Sequence, residues 1–173
     1  MKFPDTFPQF FTATNLDWKH LLREDKYKDV VINSLRFLVQ EKRVIIYSFV
    51  IMPNHLHLIW QILPGHKRKD VQRDFLKFTA QQIKFDLLNT NRAWLKEFAV
   101  TAKDRQYQFW ERNPLSIDLY THKVFIQKLE YIHNNPIQER WRLSERPEDY
   151  KYSSARFYET GIDNWGFLTH YND

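Results

Sequence analysis

Two histidines separated by one residue, His55 and His57, are the side chains of this sequence best spaced to bind a metal ion. They lie in the run MPNHLHLIWQI (residues 52–62), in which the Pro-Asn pair indicates a turn after the apolar segment 44–52. If residues 55–62 form a β-strand, alternate side chains point to opposite faces, and both imidazoles share one face where they could hold a cation. The apolar face of that strand would consist of Leu56, Leu58, Trp60 and Ile62.

Two histidines on the polar face of a strand could also be ordinary surface residues, because a short motif alone is weak evidence. The segment KLEYIHNNP at residues 128–136 favours the metal site. Its apolar residues fit a packed helix, and Pro136 should bias Asn135 away from helical geometry and end that helix. Tyr131 and Asn135 are four residues apart, which places them on one helical face. Asn135 could then be a third neutral metal ligand, and the Tyr131 hydroxyl could attack a phosphodiester bound there.

In this pattern the chain resembles the single-tyrosine transposases of the HUH class (His-hydrophobic-His), in particular the REP-associated tyrosine transposases and their insertion-sequence relatives. The resemblance extends from about residue 10 to about residue 158, and its motifs occur in the family's order. They are MPNHLHLIW (52–60), EYIHNNP (130–136) and RPEDY (146–150), followed by Ser153 and Ser154. Many insertion-sequence members have glutamine where this chain has the shorter Asn135.

The resemblance implies a function and a set of site residues. His55 and His57 would bind Mg²⁺ or Mn²⁺, with Asn135 as the third ligand. Tyr131 would be the nucleophile that becomes attached to a DNA 5′-phosphate. An enzyme of this kind cleaves and rejoins single strands through a 5′-phosphotyrosine intermediate, at hairpin-forming repeat ends in this family.

Two other functions and a second nucleophile stay open at this point. The chain could be a domesticated protein that binds DNA hairpins without cutting them. It could also be a hydrolase in which the histidines and a carboxylate such as Glu130 activate water. Tyr120, which we expect on the same helix as Tyr131, is the second candidate nucleophile.

Composition agrees with a DNA-binding protein. The 173-residue chain has a net charge of +5, which favours polyanionic partners. It contains no cysteine, so disulfides, thiolate zinc sites and cysteine nucleophiles are excluded. Residues 1–5 lack the layout of a signal peptide, and no apolar run approaches the length of a membrane span. We therefore expect a soluble, cytoplasmic protein, monomeric or homodimeric, whose partner is single-stranded or hairpin DNA.

A basic segment at residues 69–88 is the first candidate DNA-binding surface. Read as a helix, it would bury the stripe Leu76, Ala80, Ile83 and Leu87. A neighbouring face would then carry Lys69, Arg73, Lys77 and Lys84. These charges could follow DNA phosphates, or they could be solvated charges on an ordinary amphipathic helix.

Aromatic residues beside basic ones form the second candidate DNA-binding surface, because single-stranded DNA is often bound by stacking of its bases. Arg105 and Arg112 flank one such group, and Trp141 lies between two other arginines. The aromatic residues of the first group are Tyr107, Phe109 and Trp110.

The order of the elements predicts the fold. We expect strands at 9–15, 44–52 and 55–62, helices at 24–40, 69–88 and 119–134, and a further short strand around 107–110. This order favours an α+β, ferredoxin-like (RRM-like) sandwich. The family resemblance implies the same fold, with the histidine strand central in an antiparallel sheet and the tyrosine helix on the face opposite the basic helix. Residues 1–173 should form a single domain, with 137–173 as an extension packed on it.

Overall fold

The computed structural model describes residues 7–173, so the N-terminal segment that was considered for a signal peptide lies outside the described residues. Four strands form one antiparallel sheet in the spatial order β2-β3-β1-β4. They are β1 (Pro8–Thr14), β2 (Val44–Ile51), β3 (His55–Ile62) and β4 (Leu115–Asp118). The helices are α1 (Asp25–Gln40), α2 (Arg68–Thr90), α3 (Arg92–Lys96), α4 (His122–Asn134) and α5 (Ala155–Thr160).

The chain order β1-α1-β2-β3-α2-β4, combined with this strand order, defines a ferredoxin-like α+β sandwich. The predicted fold class is therefore confirmed. The strand that carries the two histidines, β3, lies between β1 and β2, which confirms its central position.

The fourth strand was predicted at the wrong place. Residues 107–110 form only isolated bridges, from Tyr107 to Ala99 and from Trp110 to Asn15. Phe109 and Trp110 are consecutive and both buried, which a strand with one buried face does not permit. The fourth strand of the sheet, β4, begins five residues after Trp110, at Leu115. Its four residues include no buried side chain, so the sequence carries almost no hydrophobic signal for it.

Helices α1 and α2 pack side by side over one face of the sheet. The face of β3 predicted to be apolar lies here, so the alternation predicted for this strand is confirmed. The predicted buried stripe of α2 is half wrong, because Leu76 and Ala80 are only partly buried. The observed stripe is Val71, Phe75, Thr79, Ile83 and Leu87. Sequence patterning missed it because it includes a polar residue, Thr79, whose hydroxyl donates to the Phe75 carbonyl oxygen.

The opposite face of the sheet is covered by α4, which contacts β2 and β3. Its side chains Leu129 and Ile132 pack against Val50, Met52 and Ile59. A β-bulge in β2, between Ile46 and Ser48, turns Val50 toward this face. Helix α4, which carries Tyr131, therefore lies on the sheet face opposite the basic helix α2, as the family resemblance implied.

Helix α4 begins three residues later than predicted. Thr121 caps it, since its hydroxyl accepts a hydrogen bond from the Val124 amide, and His122 is the first helical residue. Tyr120 therefore precedes the helix and does not share it with Tyr131, contrary to the prediction.

The last part of the chain lies along the outer edge of β2. Val50 forms a bridge to Ser153 and Ile46 forms one to Leu168, so the edge strand is covered. Tyr152 and Phe167 are buried in the cluster beneath α1. Among the helices of residues 7–173, none combines the length and apolar character needed to cross a membrane.

Candidate active site

The two histidines of β3 are buried beneath α4, each 5% exposed, and are not ordinary surface residues. Their ring centroids are 4.8 Å apart. Pairing of β1 with β3 places Thr12 opposite His57, and Phe10 from the same strand stacks on the His57 ring at 5.2 Å. The central position of β3 therefore surrounds the imidazole pair with fixed neighbours.

Hydrogen bonds fix the orientation of both imidazoles. Asn54 donates its amide N–H to the Trp18 carbonyl oxygen, so its Oδ1 faces His55 and accepts from Nδ1 at 2.7 Å. The Nδ1 atom of His57 is hydrogen-bonded to the Thr12 hydroxyl, also at 2.7 Å. With Nδ1 engaged in each ring, Nε2 is the nitrogen left for a ligand, and such bonds typically orient metal-binding histidines.

Both histidines are neutral at physiological pH. Burial lowers the pKa of His55 to about 4, with a smaller contribution from the Arg140 charge, although the nearby Asn135 amide acts in the opposite direction. Burial lowers the pKa of His57 to about 3, assisted by the charges of His55, Lys128 and Arg140. A metal ion binds the neutral imidazole, so the pair does not have to lose protons first.

Tyr131 lies against His57, one of the two histidines. Its ring centroid is 5.3 Å from that of His57 and 6.0 Å from that of Phe10. The residue is 40% exposed, and its hydroxyl makes no hydrogen bond within residues 7–173. The phenol is therefore accessible to a substrate, and no hydrogen bond to the described residues would have to be broken before its hydroxyl reacts.

The other candidate nucleophile is placed differently. The Tyr120 hydroxyl donates to the Asp118 carboxylate, which raises its pKa and disfavours the phenolate. Its ring packs on Phe7, away from the histidines. Other tyrosines are held in structural hydrogen bonds, such as that from the Tyr150 hydroxyl to the Ile51 carbonyl oxygen. Within residues 7–173, Tyr131 is thus the tyrosine that combines accessibility with a ring contact to His57.

Asn135 is fully buried, and neither atom of its side-chain amide makes a well-formed hydrogen bond. An unpaired buried amide is costly unless a ligand completes it. The helix ends at Asn134, as predicted from Pro136, but Asn135 itself keeps helical angles (φ −56°, ψ −46°), contrary to the prediction. Because the backbone stays helical, Asn135 remains on the same face as Tyr131, one turn further on, beside His55.

A hydrogen-bond network attaches the end of α4 to the sheet. His133 Nε2 is bonded to the Ser154 hydroxyl at 2.8 Å, and that same hydroxyl accepts from the Phe49 amide of β2. Ser154, the second of the two serines that belong to the family resemblance, therefore positions helix α4 and with it Tyr131. The orienting residues Thr12 and Asn54 were not found from the sequence. Asn54 could have been found from the sequence, because it directly precedes His55. Thr12 could not, because only the pairing of β1 with β3 places it beside His57.

Glu130, the carboxylate of the hydrolase alternative, is exposed. Within the described part of the chain, no three His, Cys, Asp or Glu side chains are grouped so that they could hold a metal ion. A third protein ligand for the histidine pair would therefore have to come from another residue type, and the amide of Asn135 has the required chemistry.

The six basic residues singled out from the sequence line one groove of about 900 Å³ between α2 and the loop 104–114. They differ in their partners. Arg73 is paired with Asp70 and Asp74, while Arg105 and Arg112 share Asp104. No carboxylate in residues 7–173 lies within 4 Å of the remaining three, which are Lys69, Lys77 and Lys84.

The aromatic candidates for base stacking are divided between the groove and the core. Phe109 and Trp110 are buried, so their rings are not available to bases. Tyr107 is half-buried and lines the groove, where Lys84 lies over its ring at 5.7 Å. Trp141 lies elsewhere, with its ring centroid 5.9 Å from that of His55.

The buried histidines predict a pH-dependent stability of the metal-free protein. His133 resembles His55 and His57 in this respect, since burial lowers its pKa to about 4. Below pH 6.5 the unfolded chain takes up protons that the folded chain excludes, so stability is full above that pH and is lost as the pH falls. We expect the loss at pH 5.5 to approach about 4 kcal/mol for the three histidines together. Urea unfolding in EDTA at pH 7.5 and 5.5 measures it, and an unchanged midpoint would contradict buried neutral histidines.

Two solved structures are similar to this chain. The structure of a REP-associated tyrosine transposase bound to a REP hairpin superposes with a TM-score of 0.66, covering 97% of this chain and 88% of that chain at 16% sequence identity. A protein from Deinococcus radiodurans R1, provisionally assigned as a transposase, superposes with a TM-score of 0.48, covering 73% of this chain and 88% of that chain at 15% identity. Comparisons with models of known protein families and with curated proteins found no match.

At this low identity the first similarity establishes a shared fold. The ferredoxin-like sandwich of this chain, followed by the tyrosine helix, is thus the fold of a REP-associated tyrosine transposase. The second similarity is too low to add to this conclusion.

Proposed function

We propose that this chain is a metal-dependent single-strand DNA transposase or nuclease that works through a 5′-phosphotyrosine intermediate. The observation that carries the proposal is the contact of the accessible Tyr131 ring with His57, one of two buried, neutral histidines that lie side by side. The shared fold with a transposase supports the same conclusion.

The residues present fit a divalent metal ion. His55 and His57 offer their Nε2 atoms, and the unpartnered Asn135 amide offers an oxygen. When bound, Mg²⁺ or Mn²⁺ would polarise the scissile phosphate and orient the leaving 3′-oxygen. Imidazole nitrogens suit several transition metals, so the choice of ion rests on the family resemblance.

Tyr131 is the proposed nucleophile. Its hydroxyl oxygen forms a bond to phosphorus, the bond from phosphorus to the 3′-oxygen breaks, and the 5′-phosphate stays on the tyrosine. The phenol proton is released to solvent, and the departing oxygen takes up a proton to become a 3′-hydroxyl. The adduct keeps the energy of the broken ester. A DNA 3′-hydroxyl can therefore reverse the step and rejoin strands without a further energy source.

The surrounding residues act by holding this geometry. Thr12 and Asn54 fix the two imidazole rings. The His133–Ser154 hydrogen bond holds α4, and with it Tyr131, against β2. Orientation of this kind lowers the entropic cost of attack, because the reacting groups need no further ordering.

We further propose that hairpin or single-stranded DNA is the partner. The similar transposase is bound to a REP hairpin, and the groove along α2 offers lysines that have no carboxylate partner among residues 7–173. This groove lies on the sheet face opposite Tyr131. DNA that occupies both sites would have to pass around an edge of the sheet.

Replacing Lys77 and Lys84 with alanine should weaken binding of single-stranded DNA regardless of its sequence. Each lost phosphate contact should reduce the slope of log affinity against log salt by roughly 0.7. Fluorescence anisotropy titrations at several salt concentrations measure that slope. Arg73→Ala is the matched comparison, because Arg73 is already neutralised by two aspartates and should change the slope less. If the Lys77/Lys84 variant keeps the full slope, the groove does not bind phosphates.

The test of the function is a denaturing gel of the protein, Mn²⁺ and oligonucleotides that combine an imperfect hairpin with random flanks and carry the label at the 3′ end, the end that stays with the 5′-phosphate on the protein. We expect a labelled band at the mass of the protein plus DNA that survives denaturation. Cleavage without such a band would indicate the hydrolase alternative. Hairpin binding without cleavage would indicate a domesticated DNA-binding protein.

A further inference from the structure

Residues 7–173 leave part of the α4-facing side of the sheet uncovered. Helix α4 covers β2 and β3, whereas the β4 side chains that point to this face, Leu115 and Ile117, are 51% and 37% exposed. Ile117 pairs with Phe10 of β1, the residue that contacts both His57 and Tyr131. We call this uncovered part of β4 and β1, from Leu115 and Ile117 to Phe10, the open strip. It ends at His57, which Phe10 contacts.

Lys128 lies at the inner end of the open strip, beside Phe10 and Tyr131. It lies on α4 one turn before Tyr131, and its ammonium is 4.8 Å from the Phe10 ring centroid and 5.7 Å from that of Tyr131. No carboxylate in the described chain lies within 4 Å of this ammonium. The cation is half-buried among aromatic rings, and residues 7–173 give it no anionic partner.

Arg140 occupies the other end of the histidine pair. Its guanidinium lies 5.9 Å from the ring centroid of Trp141, the side chain that contacts His55. Arg140 is exposed, and within residues 7–173 it forms no ion pair. The neighbouring Arg142, in contrast, is paired with Glu139.

We propose that Lys128 and Arg140 bind the phosphates on the two sides of the scissile one, with Lys128 holding the part of the strand that lies over β1 and β4. The ligand is the phosphodiester backbone of single-stranded DNA. Lys128 adjoins His57 and Tyr131, and Arg140 adjoins the Trp141–His55 end, so the two cations flank the reaction centre. A strand held at both points would present the intervening phosphate to Tyr131. This inference deepens the proposed function and rests on it.

Chemical footprinting of the intact chain tests the contacts directly. Lysines are acetylated and arginines modified with phenylglyoxal, in the presence and absence of a (dT)20 oligonucleotide, and the modified sites are mapped by mass spectrometry. We expect DNA to slow modification of Lys128 and Arg140 several-fold. The matched controls are Lys123, an exposed lysine near the start of α4, and Arg142, and both should keep their reactivity. Protection confined to the α2 groove, with Lys128 and Arg140 unchanged, would overturn the proposal.

Substitutions separate phosphate binding from a structural role. Lys128→Gln and Arg140→Gln should each weaken (dT)20 binding roughly tenfold and reduce the salt slope by about 0.7, whereas Lys128→Arg should retain most of the affinity. Circular dichroism checks that each variant is folded. An unchanged slope in both glutamine variants would contradict the proposal.

The same measurements distinguish failure of this inference from failure of the proposed function. All binding experiments are repeated with Tyr131→Phe, which retains both cations but has no nucleophile. If the wild-type chain forms no DNA adduct while Lys128 and Arg140 are protected, the transposase function fails and the phosphate contacts stand. If adducts form while neither residue is protected, the function stands and this inference fails.

Discussion

A Tyr131→Phe protein is expected to form no covalent adduct with DNA, with strand cleavage reduced by at least about 10⁴-fold. The substitution removes one hydroxyl that is exposed and makes no hydrogen bond within residues 7–173. Stability should therefore change by no more than about 0.5 kcal/mol. Denaturing gels measure the adduct, urea unfolding measures the stability, and anisotropy shows whether DNA binding is retained.

Tyr120→Phe is the matched control for that experiment. It also removes one exposed phenolic hydroxyl, but one that is hydrogen-bonded to Asp118 and lies away from the histidines. We expect this variant to form the adduct at the wild-type rate. The assignment of the nucleophile would fail if the Tyr131→Phe protein still formed an adduct, or if peptide mapping placed the DNA on Tyr120.

Replacement of either histidine by alanine is expected to abolish metal-stimulated cleavage. Loss of the ion removes several kcal/mol of stabilisation of the reacting phosphate, and about 4 kcal/mol corresponds to a factor of roughly 10³ in rate. Binding of Mn²⁺, followed by electron paramagnetic resonance or calorimetry, should weaken in parallel. Asn135→Ala should have a smaller effect, because water can replace a single amide ligand.

Thr12→Val provides a graded control for the histidine variants. It keeps both imidazoles but removes the hydrogen-bond partner of His57, so Mn²⁺ affinity should fall about 10–100-fold without being lost. All of these variants should show the circular dichroism spectrum of the wild type. If His57→Ala binds Mn²⁺ as tightly as the wild type, the histidine pair is not the metal site.

Local sequence patterns predicted the elements that carry the candidate site. Alternation along residues 55–62 predicted which side chains share each face of β3, because successive side chains of a strand point to opposite faces. The family resemblance added the expectation that α4 and α2 cover opposite faces, which the structure confirms. Where the local signal was misleading, prediction failed. The buried neighbours Phe109 and Trp110 resembled a strand, while the exposed β4 had no apolar pattern.

The sequence by itself therefore determined which residue types could do the chemistry and how each pair is spaced. His55 and His57 share a face because a strand repeats every two residues, and Tyr131 and Asn135 share a face because they lie one helical turn apart. Tertiary structure alone decided which of these groups meet. The contact of Tyr131 with His57 joins residues 74 positions apart in the chain, and Thr12 reaches His57 only through strand pairing. Burial, which makes both imidazoles neutral, likewise depends on packing of α4 across the sheet, because no local pattern specifies which elements exclude water together.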